Sequence, residues 1–202
     1  MWKNNNMKEQ NISLRDIKNA NKITEKVVNK TPMFKLQTIS NILNKPVYYK
    51  DESKQVTSSF KGRGVYYCVY NKIKYISKKN IYIVTQSTGN HGIATLFSLL
   101  HLMKNSNNKY IKSVIPVIFA SKNIQKNKLN KMKYYLNEIR KEVNDFNYGD
   151  IKCNYNSYEE ALNSRVEFVA KNNAIYIEHG FIDIIIGHGT MGLEIYEQLK
   201  EK

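Results

Sequence analysis

The chain has 202 residues, of which 42% are hydrophobic and 24% charged, a composition that predicts a folded protein rather than a disordered one. Lys and Arg outnumber Asp and Glu by 32 to 17, but this excess is spread along the chain, so we expect no nucleic-acid partner. No apolar run can span a bilayer and two cysteines make no disulfide framework, so we expect a cytoplasmic protein without a membrane partner.

The first predicted elements alternate between helix and strand. Residues 1–12 are predicted as a loose tail, and a helix follows over 14–28, where apolar residues recur at helical spacing. A short strand within 46–52 leads through a polar loop to a helix that starts near Ser59, whose hydroxyl can cap it. The β-branched run at 81–85 predicts a buried strand, which a glycine-containing turn joins to another helix.

The same alternation continues through the second half of the chain. Residues 140–150 have no clear period and are predicted as a loop insertion. The apolar run at 181–186 is predicted as a strand that leads through the turn at 187–192 into a last helix, with Thr190 as its N-cap. The remaining strand patterns lie at 114–120, 151–154 and 174–178, and the remaining helical patterns at 123–136 and 158–171.

Strand–helix–strand units with short loops predict an α/β fold in which parallel sheets are covered by helices. We expect residues 1–80 to begin a larger unit, residues 81–182 to form a smaller one, and residues 183–202 to return to the larger unit. The last helical pattern reaches Lys202 without a cap, so we expect the sheet of the larger unit to continue beyond it.

The first candidate site is the run from Thr57 to Gly64, which contains Lys61 in the first turn of a predicted helix. The positive end of the helix dipole favours the neutral amine, the form that a lysine needs to make a Schiff base with an aldehyde. On spacing alone, an ordinary solvated lysine is the alternative.

The second candidate site is the turn from Ser87 to Gly92, between a strand and a helix. Such a turn presents N–H groups to an anion, Asn90 adds a donor, and the Thr88 hydroxyl could pass a proton. The alternative is that glycine permits the turn and that Thr88 and Asn90 cap the helix. In the turn at 187–192 we expect His188 to be a polar turn residue. The histidines and cysteines lack the spacing of metal ligands, so no metal is expected.

Three motifs in this order resemble a known family. SSFKGRG, STGNHG and GHGTMGLEI are similar to the SFKxRGA, S(S/A)GNH(A/G) and GQGTxxxE patterns of fold-type II pyridoxal-phosphate enzymes, in particular serine/threonine dehydratases and serine racemases. TPMFKL at 31–36 and VYYKDES at 47–53 also resemble family segments. The resemblance covers nearly the whole chain from about residue 14.

The resemblance implies a role for each matching residue. Lys61 would hold pyridoxal 5'-phosphate through a Schiff base, with Phe60 beside it and Asn90 bound to the ring hydroxyl. The implied catalytic residues are Lys61 and Thr88, whose position in racemases is a proton donor. The loop that would grip the substrate carboxylate consists of Ser87, Thr88, Gly89, Asn90 and His91.

The implied reaction is an α,β-elimination from a small hydroxy amino acid such as serine or threonine, giving a 2-oxo acid and ammonia. The freed Lys61 amine would remove the α-proton, helped by a pKa that a cationic neighbourhood including Arg63 lowers. A serine racemase, a β-replacement enzyme or an inactive remnant that acts as a binding protein are the alternatives. The resemblance also suggests a homodimer.

This sequence departs from the family pattern at two sites. His188 replaces the glutamine of GQGT, and Glu178-His179-Gly180 stands where the family has HPF or HPN. The resemblance places the glycine-rich loop for the cofactor phosphate after the last helix, beyond residue 202.

Overall fold

A computed structural model describes residues 11–201 of the chain. The predicted tail at 1–12 therefore falls almost wholly outside the described residues. The strands are β1 (Met33–Lys35), β2 (Tyr48–Lys50), β3 (Ile81–Gln86), β4 (Val114–Ser121), β5 (Asp150–Tyr155) and β6 (Ala174–Tyr176). The helices are α1 (Leu14–Thr24), α2 (Gln37–Leu43), α3 (Lys61–Ile73), α4 (Asn90–Asn105), α5 (Lys126–Val143), α6 (Tyr158–Lys171) and α7 (Ile182–Lys200).

The central element is a four-stranded parallel sheet in the order β5–β4–β3–β6. A separate antiparallel pair joins β1 to β2. Helices follow β3, β4 and β5, as the short loops of the sequence predict for parallel strands. The predicted α/β fold is confirmed, whereas the division into units at residues 80 and 182 stays a prediction. Between residues 11 and 201, no helix combines the length and apolarity that crossing a bilayer requires.

Both faces of the sheet are covered, which explains why its inner strands read as continuous apolar runs. On β3, Ile83 packs into the larger core with residues of α3, α4 and α5. Its neighbour Val84 points the other way, into a smaller core that includes Phe119 and partly buried Phe168 of α6. Both β3 side chains are fully buried, so a strand in this position has no solvent face.

The last part of the chain differs from the sequence prediction. α7 is one continuous helix over Ile182–Lys200, so the strand at 181–186 and the turn at 187–192 were wrong. Thr190 is not an N-cap; its hydroxyl donates to the Gly187 carbonyl within the helix, at 2.8 Å. The apolar run suits a buried helix as well as a strand, and the glycines have another purpose.

Those glycines allow α7 to cross α3 at backbone contact. A Cβ on Gly187 would lie 2.7 Å from the Gly64 Cα and 3.0 Å from the Arg63 carbonyl oxygen. A Cβ on Gly64 would in turn overlap the Ile184 carbonyl oxygen. The two glycines thus remove the side chains that would hold the helices apart.

The predicted loop insertion at 140–150 was partly wrong. α5 continues to Val143 and ends at Asn144, which has a left-handed φ of 54°. The Arg140 side chain then donates to the carbonyls of Tyr148 and Gly149, at 3.0 and 3.1 Å. These bonds fix a short connection into β5. The presence of β5 confirms the weak strand predicted at 151–154.

A buried ionic cluster joins β2, the short 3-10 turn after it, α3 and α7. Fully buried Arg63 binds Glu52 through Nε and Nη2, each at 2.8 Å, and Glu194 through Nη1 and Nη2, at 2.7 and 3.0 Å. Lys50 Nζ adds a 2.7 Å bond to Glu194. Because the guanidinium meets two carboxylates in bidentate geometry, its buried charge is compensated.

The glycine contact predicts opposite effects for two substitutions in α7. Gly187→Ala should lower the free energy of unfolding by about 2 kcal/mol or more, because the new methyl group overlaps α3 backbone. Gly192→Ala, where a Cβ would meet nothing within 4 Å, should raise it by about 0.5 to 1 kcal/mol through helix propensity. Urea unfolding of both variants checks this; equal effects would contradict the close crossing.

Candidate functional site

Lys61 lies where the sequence placed it, at the first residue of α3. The N-cap residue of α3 is Phe60, so the predicted cap at Ser59 was wrong, although the Ser59 hydroxyl does accept the Lys61 backbone N–H at 3.2 Å. The Lys61 Nζ lies 4.9 Å from the centre of the Phe60 ring, and within residues 11–201 no carboxylate oxygen comes within 4.0 Å of it. Burial lowers the pKa of this half-buried amine.

Arg63 does not supply the cationic neighbourhood that the sequence suggested. Its guanidinium is directed into the ionic cluster, where Glu52 and Glu194 neutralise it. The pKa of Lys61 is lowered by burial instead. The sequence prediction for Arg63 was wrong because two carboxylates distant in sequence reach it.

The loop after β3 forms a turn before α4. Ser87 is buried, and its hydroxyl accepts the Gly89 N–H at 3.1 Å, whereas Thr88 is exposed. Gly89 is the N-cap residue and no side chain caps the helix, so the alternative in which Thr88 and Asn90 are caps was wrong. The first N–H groups of α4 are therefore available to an anion.

Two histidines stack beside this turn. The rings of His91 and His179 lie 3.8 Å apart at 21°, and His91 Nε2 is 3.2 Å from the Ile177 carbonyl. Burial and His179 lower the pKa of His91 to about 3, with a smaller contribution from the Lys61 charge. Burial also lowers the pKa of His179. Sequence reasoning missed this pair, because His179 stands at the end of a separate strand.

His188 of α7 is the third histidine of the site. Its Nδ1 accepts the Gly64 N–H at 3.1 Å, and its ring meets the Phe60 ring edge-on at 4.8 Å. Burial, then the Lys61 charge, lowers its pKa to about 4. A neutral ring that accepts at Nδ1 carries its proton at Nε2, and this buried atom has no partner among the described residues. The expectation of a turn residue was wrong.

Two lysines of α5 complete the site, and sequence reasoning missed both. Lys128 donates to the Asn90 Oδ1, and Lys131 Nζ donates to the Ser58 hydroxyl at 2.9 Å. Their three-residue spacing places them on one helix face, but many lysines of this chain have such spacing. The structure thus brings all three motifs and α5 together around the start of α3.

Comparison with known proteins identifies the family. A family profile described as pyridoxal-phosphate dependent enzyme matches residues 24–202. This chain belongs to the pyridoxal-phosphate-dependent enzyme family. Pyridoxal phosphate is the cofactor of that family, and the resemblance drawn from the three motifs is confirmed.

Curated relatives include racemases and lyases. The chain is 28% identical over 191 residues to a serine racemase of Dictyostelium discoideum, covering 94% of this chain and 51% of the relative. It is 30% identical over 196 residues to an L-threonine ammonia-lyase of Thermotoga maritima, and the match covers 94% of this chain and 42% of that relative. The chain therefore spans about half the length of the curated relatives it matches.

Solved structures share the fold. The Dictyostelium discoideum serine racemase superposes with a TM-score of 0.69 at 26% identity, over 93% of this chain and 53% of that one. A pyridoxal 5'-phosphate-dependent aspartate racemase superposes with a TM-score of 0.73 at 23% identity. The match covers 94% of this chain and 51% of that one. At 23% identity, the second match shows the fold alone.

The residues present fit the family's cofactor. Lys61 offers a half-buried amine that meets no carboxylate among residues 11–201, which suits attachment to an aldehyde. The orphaned His188 Nε2 lies beside Phe60 and offers a donor to a bound group. Across residues 11–201, no group of His, Cys, Asp and Glu side chains is arranged to hold a metal ion.

The depressed histidine pKa values predict loss of stability in acid. The pKa of His188 is about 4 in the folded chain and ordinarily 6.5. Between pH 6.5 and pH 4 the ring is therefore protonated in the unfolded chain but neutral in the folded chain. Stability due to the neutral ring is present above pH 6.5 and falls by up to about 1.4 kcal/mol per pH unit towards pH 4.

His188→Gln should make this acid slope shallower, since glutamine can still accept the Gly64 N–H but does not titrate. Urea unfolding at pH 4.5, 5.5 and 7.5 measures the slope for both proteins. Between pH 7 and 8 the free energies of unfolding of the two proteins should differ by the same amount at each pH, and this constant difference is the internal control. Parallel slopes below pH 6 would contradict a buried neutral His188.

Proposed function

We propose that Lys61 carries pyridoxal phosphate and that the protein catalyses α,β-elimination from a small hydroxy amino acid such as serine or threonine. The observation that supports this most is the Lys61 amine, half-buried and without a carboxylate partner in the described part of the chain. The named activities of the relatives include threonine ammonia-lyase and serine racemase. Because the chain spans half their length, the reaction of the whole protein is part of the proposal.

In this proposal the residues around Lys61 would orient the cofactor. Phe60 would flank the attachment point, and Asn90, whose amide oxygen accepts from Lys128, would bond the ring hydroxyl. When bound, pyridoxal phosphate would supply an electron sink for the charge left at the α-carbon. His188 Nε2 would donate to a polar atom of the bound group.

The turn from Ser87 to His91 binds the substrate carboxylate. The start of α4, which no side chain caps, presents N–H donors, and the buried Ser87 hydroxyl holds the turn in shape through Gly89. Burial favours the neutral ring of His91, so the backbone N–H groups rather than an imidazolium bind the carboxylate. The carboxylate is thereby placed at the carboxyl end of β3.

Lys61 moves the proton. The Lys61 Nζ would accept the α-proton of the substrate, and burial favours the neutral amine that this role needs by lowering its pKa. Loss of the β-hydroxyl and hydrolysis then give a 2-oxo acid and ammonia. Thr88 is exposed on the same turn and could return a proton in a racemase, so racemisation remains the second candidate.

Cofactor attachment is the direct test. The chain is incubated with pyridoxal phosphate, reduced with borohydride, digested, and its modified lysines are located by mass. We expect selective labelling of Lys61, because it is a half-buried amine whose pKa burial lowers, whereas lysines such as Lys133 are exposed. In Lys61→Arg the selective label should disappear. Equal labelling of many lysines would contradict the proposal.

Product analysis then separates the two reactions. With L-serine, elimination yields a 2-oxo acid that a coupled reductase detects, whereas racemisation yields D-serine, which chiral chromatography detects. Elimination should fall by about a thousandfold or more in Lys61→Ala and persist in Thr88→Ala. Formation of D-serine that depends on Thr88, without a 2-oxo acid, would assign the racemase instead. Homodimer formation stays a prediction that sedimentation can check.

A further inference from the structure

The first turn of α3, which carries Lys61, takes one of its hydrogen-bond acceptors from another helix. The Phe60 carbonyl accepts the Arg63 N–H at 3.1 Å, the three-residue spacing of a 3-10 turn. The next N–H of the turn, that of Gly64, donates to Nδ1 of His188 on α7 at 3.1 Å. A side chain of α7 thus supports the turn that holds Lys61.

The imidazole of His188 lies in a confined position against this turn. A Cβ on Gly64 would lie 2.6 Å from both Cε1 and Nδ1 of His188, so the ring rests directly on the α3 backbone. Its edge contact is with the Phe60 ring, at 4.8 Å, and the Lys61 Nζ lies 4.9 Å from the centre of that same ring. His188 therefore contacts the residue before Lys61 and the residue three positions after it.

The hydrogen bond to Gly64 also fixes the tautomer of His188. Only a ring nitrogen without a proton can accept the Gly64 N–H, so the proton of the neutral ring is at Nε2. Burial, and then the Lys61 charge, keeps the ring neutral near pH 7 by lowering its pKa to about 4. The same bond thus supports the turn and decides which nitrogen is the donor.

We propose that His188 is a positioning residue for Lys61, because it supports the turn from Phe60 to Gly64 and so fixes the direction of the Lys61 amine. This inference rests on the proposed function and names the residue that presents the amine. His188 acts here through Phe60 and Gly64, in addition to the donor role proposed for its Nε2. Without this acceptor the first turn of α3 shifts more freely, and the amine is less often in the direction that attachment needs.

NMR of the full 202-residue chain, with nothing added, tests the contact itself. At pH 7.5 the ¹⁵N chemical shifts of the two ring nitrogens report the tautomer, and the spectrum of His188→Gln identifies the His188 signals by their absence. We expect the proton at Nε2. We also expect hydrogen exchange of the Gly64 amide to become about three- to tenfold faster in His188→Leu, the scale of one net hydrogen bond. A proton at Nδ1, or an unchanged Gly64 exchange rate in His188→Leu, would overturn the inference.

Cofactor labelling tests the consequence for Lys61. Variants are trapped with pyridoxal phosphate and borohydride under conditions in which circular dichroism shows each of them folded. We expect His188→Leu to reduce the share of label on Lys61 by about fivefold or more, because leucine offers no acceptor and the amine loses its direction. His188→Gln should keep that share within about twofold of the unaltered chain, because its amide oxygen can accept the Gly64 N–H.

His101→Leu is the matched control. It removes a half-buried histidine of α4 whose ring packs on Tyr66 and Phe97, and it should leave the share of label on Lys61 unchanged. Equal losses in His101→Leu and His188→Leu would show a general effect of lowered stability and overturn the inference. A loss in His188→Gln as large as that in His188→Leu would overturn it too, since the hydrogen bond would then not position Lys61.

The outcome is separable from that of the proposed function. Selective labelling of Lys61 that His188→Leu leaves unchanged would keep the proposed function and reject the positioning role. Scattered labelling of the unaltered chain would reject the proposed function, and the Gly64 exchange rates would still decide whether His188 holds the turn.

Discussion

The site depends on the backbone contact between α3 and α7 and on the ionic cluster that closes it. Gly64 and Gly187 let the helices touch, and Arg63 spans the gap to Glu52 and Glu194. Removing one carboxylate would leave the fully buried guanidinium with only one of its two partners, and breaking a buried ion pair costs about 3 to 5 kcal/mol in comparable cases. The position of Lys61 follows from this contact, because it begins the helix that the cluster holds.

Neighbouring residues of one motif act on opposite sides of α3. Two residues advance a helix by about 200°, so Lys61 and Arg63 point in nearly opposite directions. Arg63 is directed towards the cluster with α7, whereas the half-buried Lys61 amine lies over the Phe60 ring. The same division applies on α7, where Glu194 binds the cluster and His188 lies against Phe60. The SSFKGRG motif therefore combines a candidate catalytic residue, Lys61, with a residue that holds α3 against α7, Arg63.

Much of the architecture could be predicted from the sequence. The β-branched runs, the glycine-containing turn and the alternation of periods indicate the parallel strands and place Lys61 at a helix start. The apolar run before Gly187 could not be assigned in this way, because periodicity does not separate a short buried strand from a buried helix. Its glycines were taken for a turn, although helix contact requires them.

The electrostatics of the site were less predictable than its fold. The sequence predicts Arg63 as a cationic neighbour of Lys61, but Glu52 and Glu194 neutralise it, and Glu194 lies 131 residues away along the chain. Likewise the stack of His91 on His179 and the approach of Lys131 to Ser58 join residues far apart in the chain. Such contacts depend on tertiary packing, and single-sequence patterns carry no signal for them.

Lys61 is held as a partly buried amine that meets no carboxylate among residues 11–201, and its titration tests this most directly. Lysines can be dimethylated with ¹³C-formaldehyde and titrated by NMR, with Lys61→Arg identifying the Lys61 resonance. We expect Lys61 to titrate below the ordinary lysine pKa of 10.5, because burial penalises its charge. A Lys61 pKa at or above 10.5 would contradict this burial of the amine.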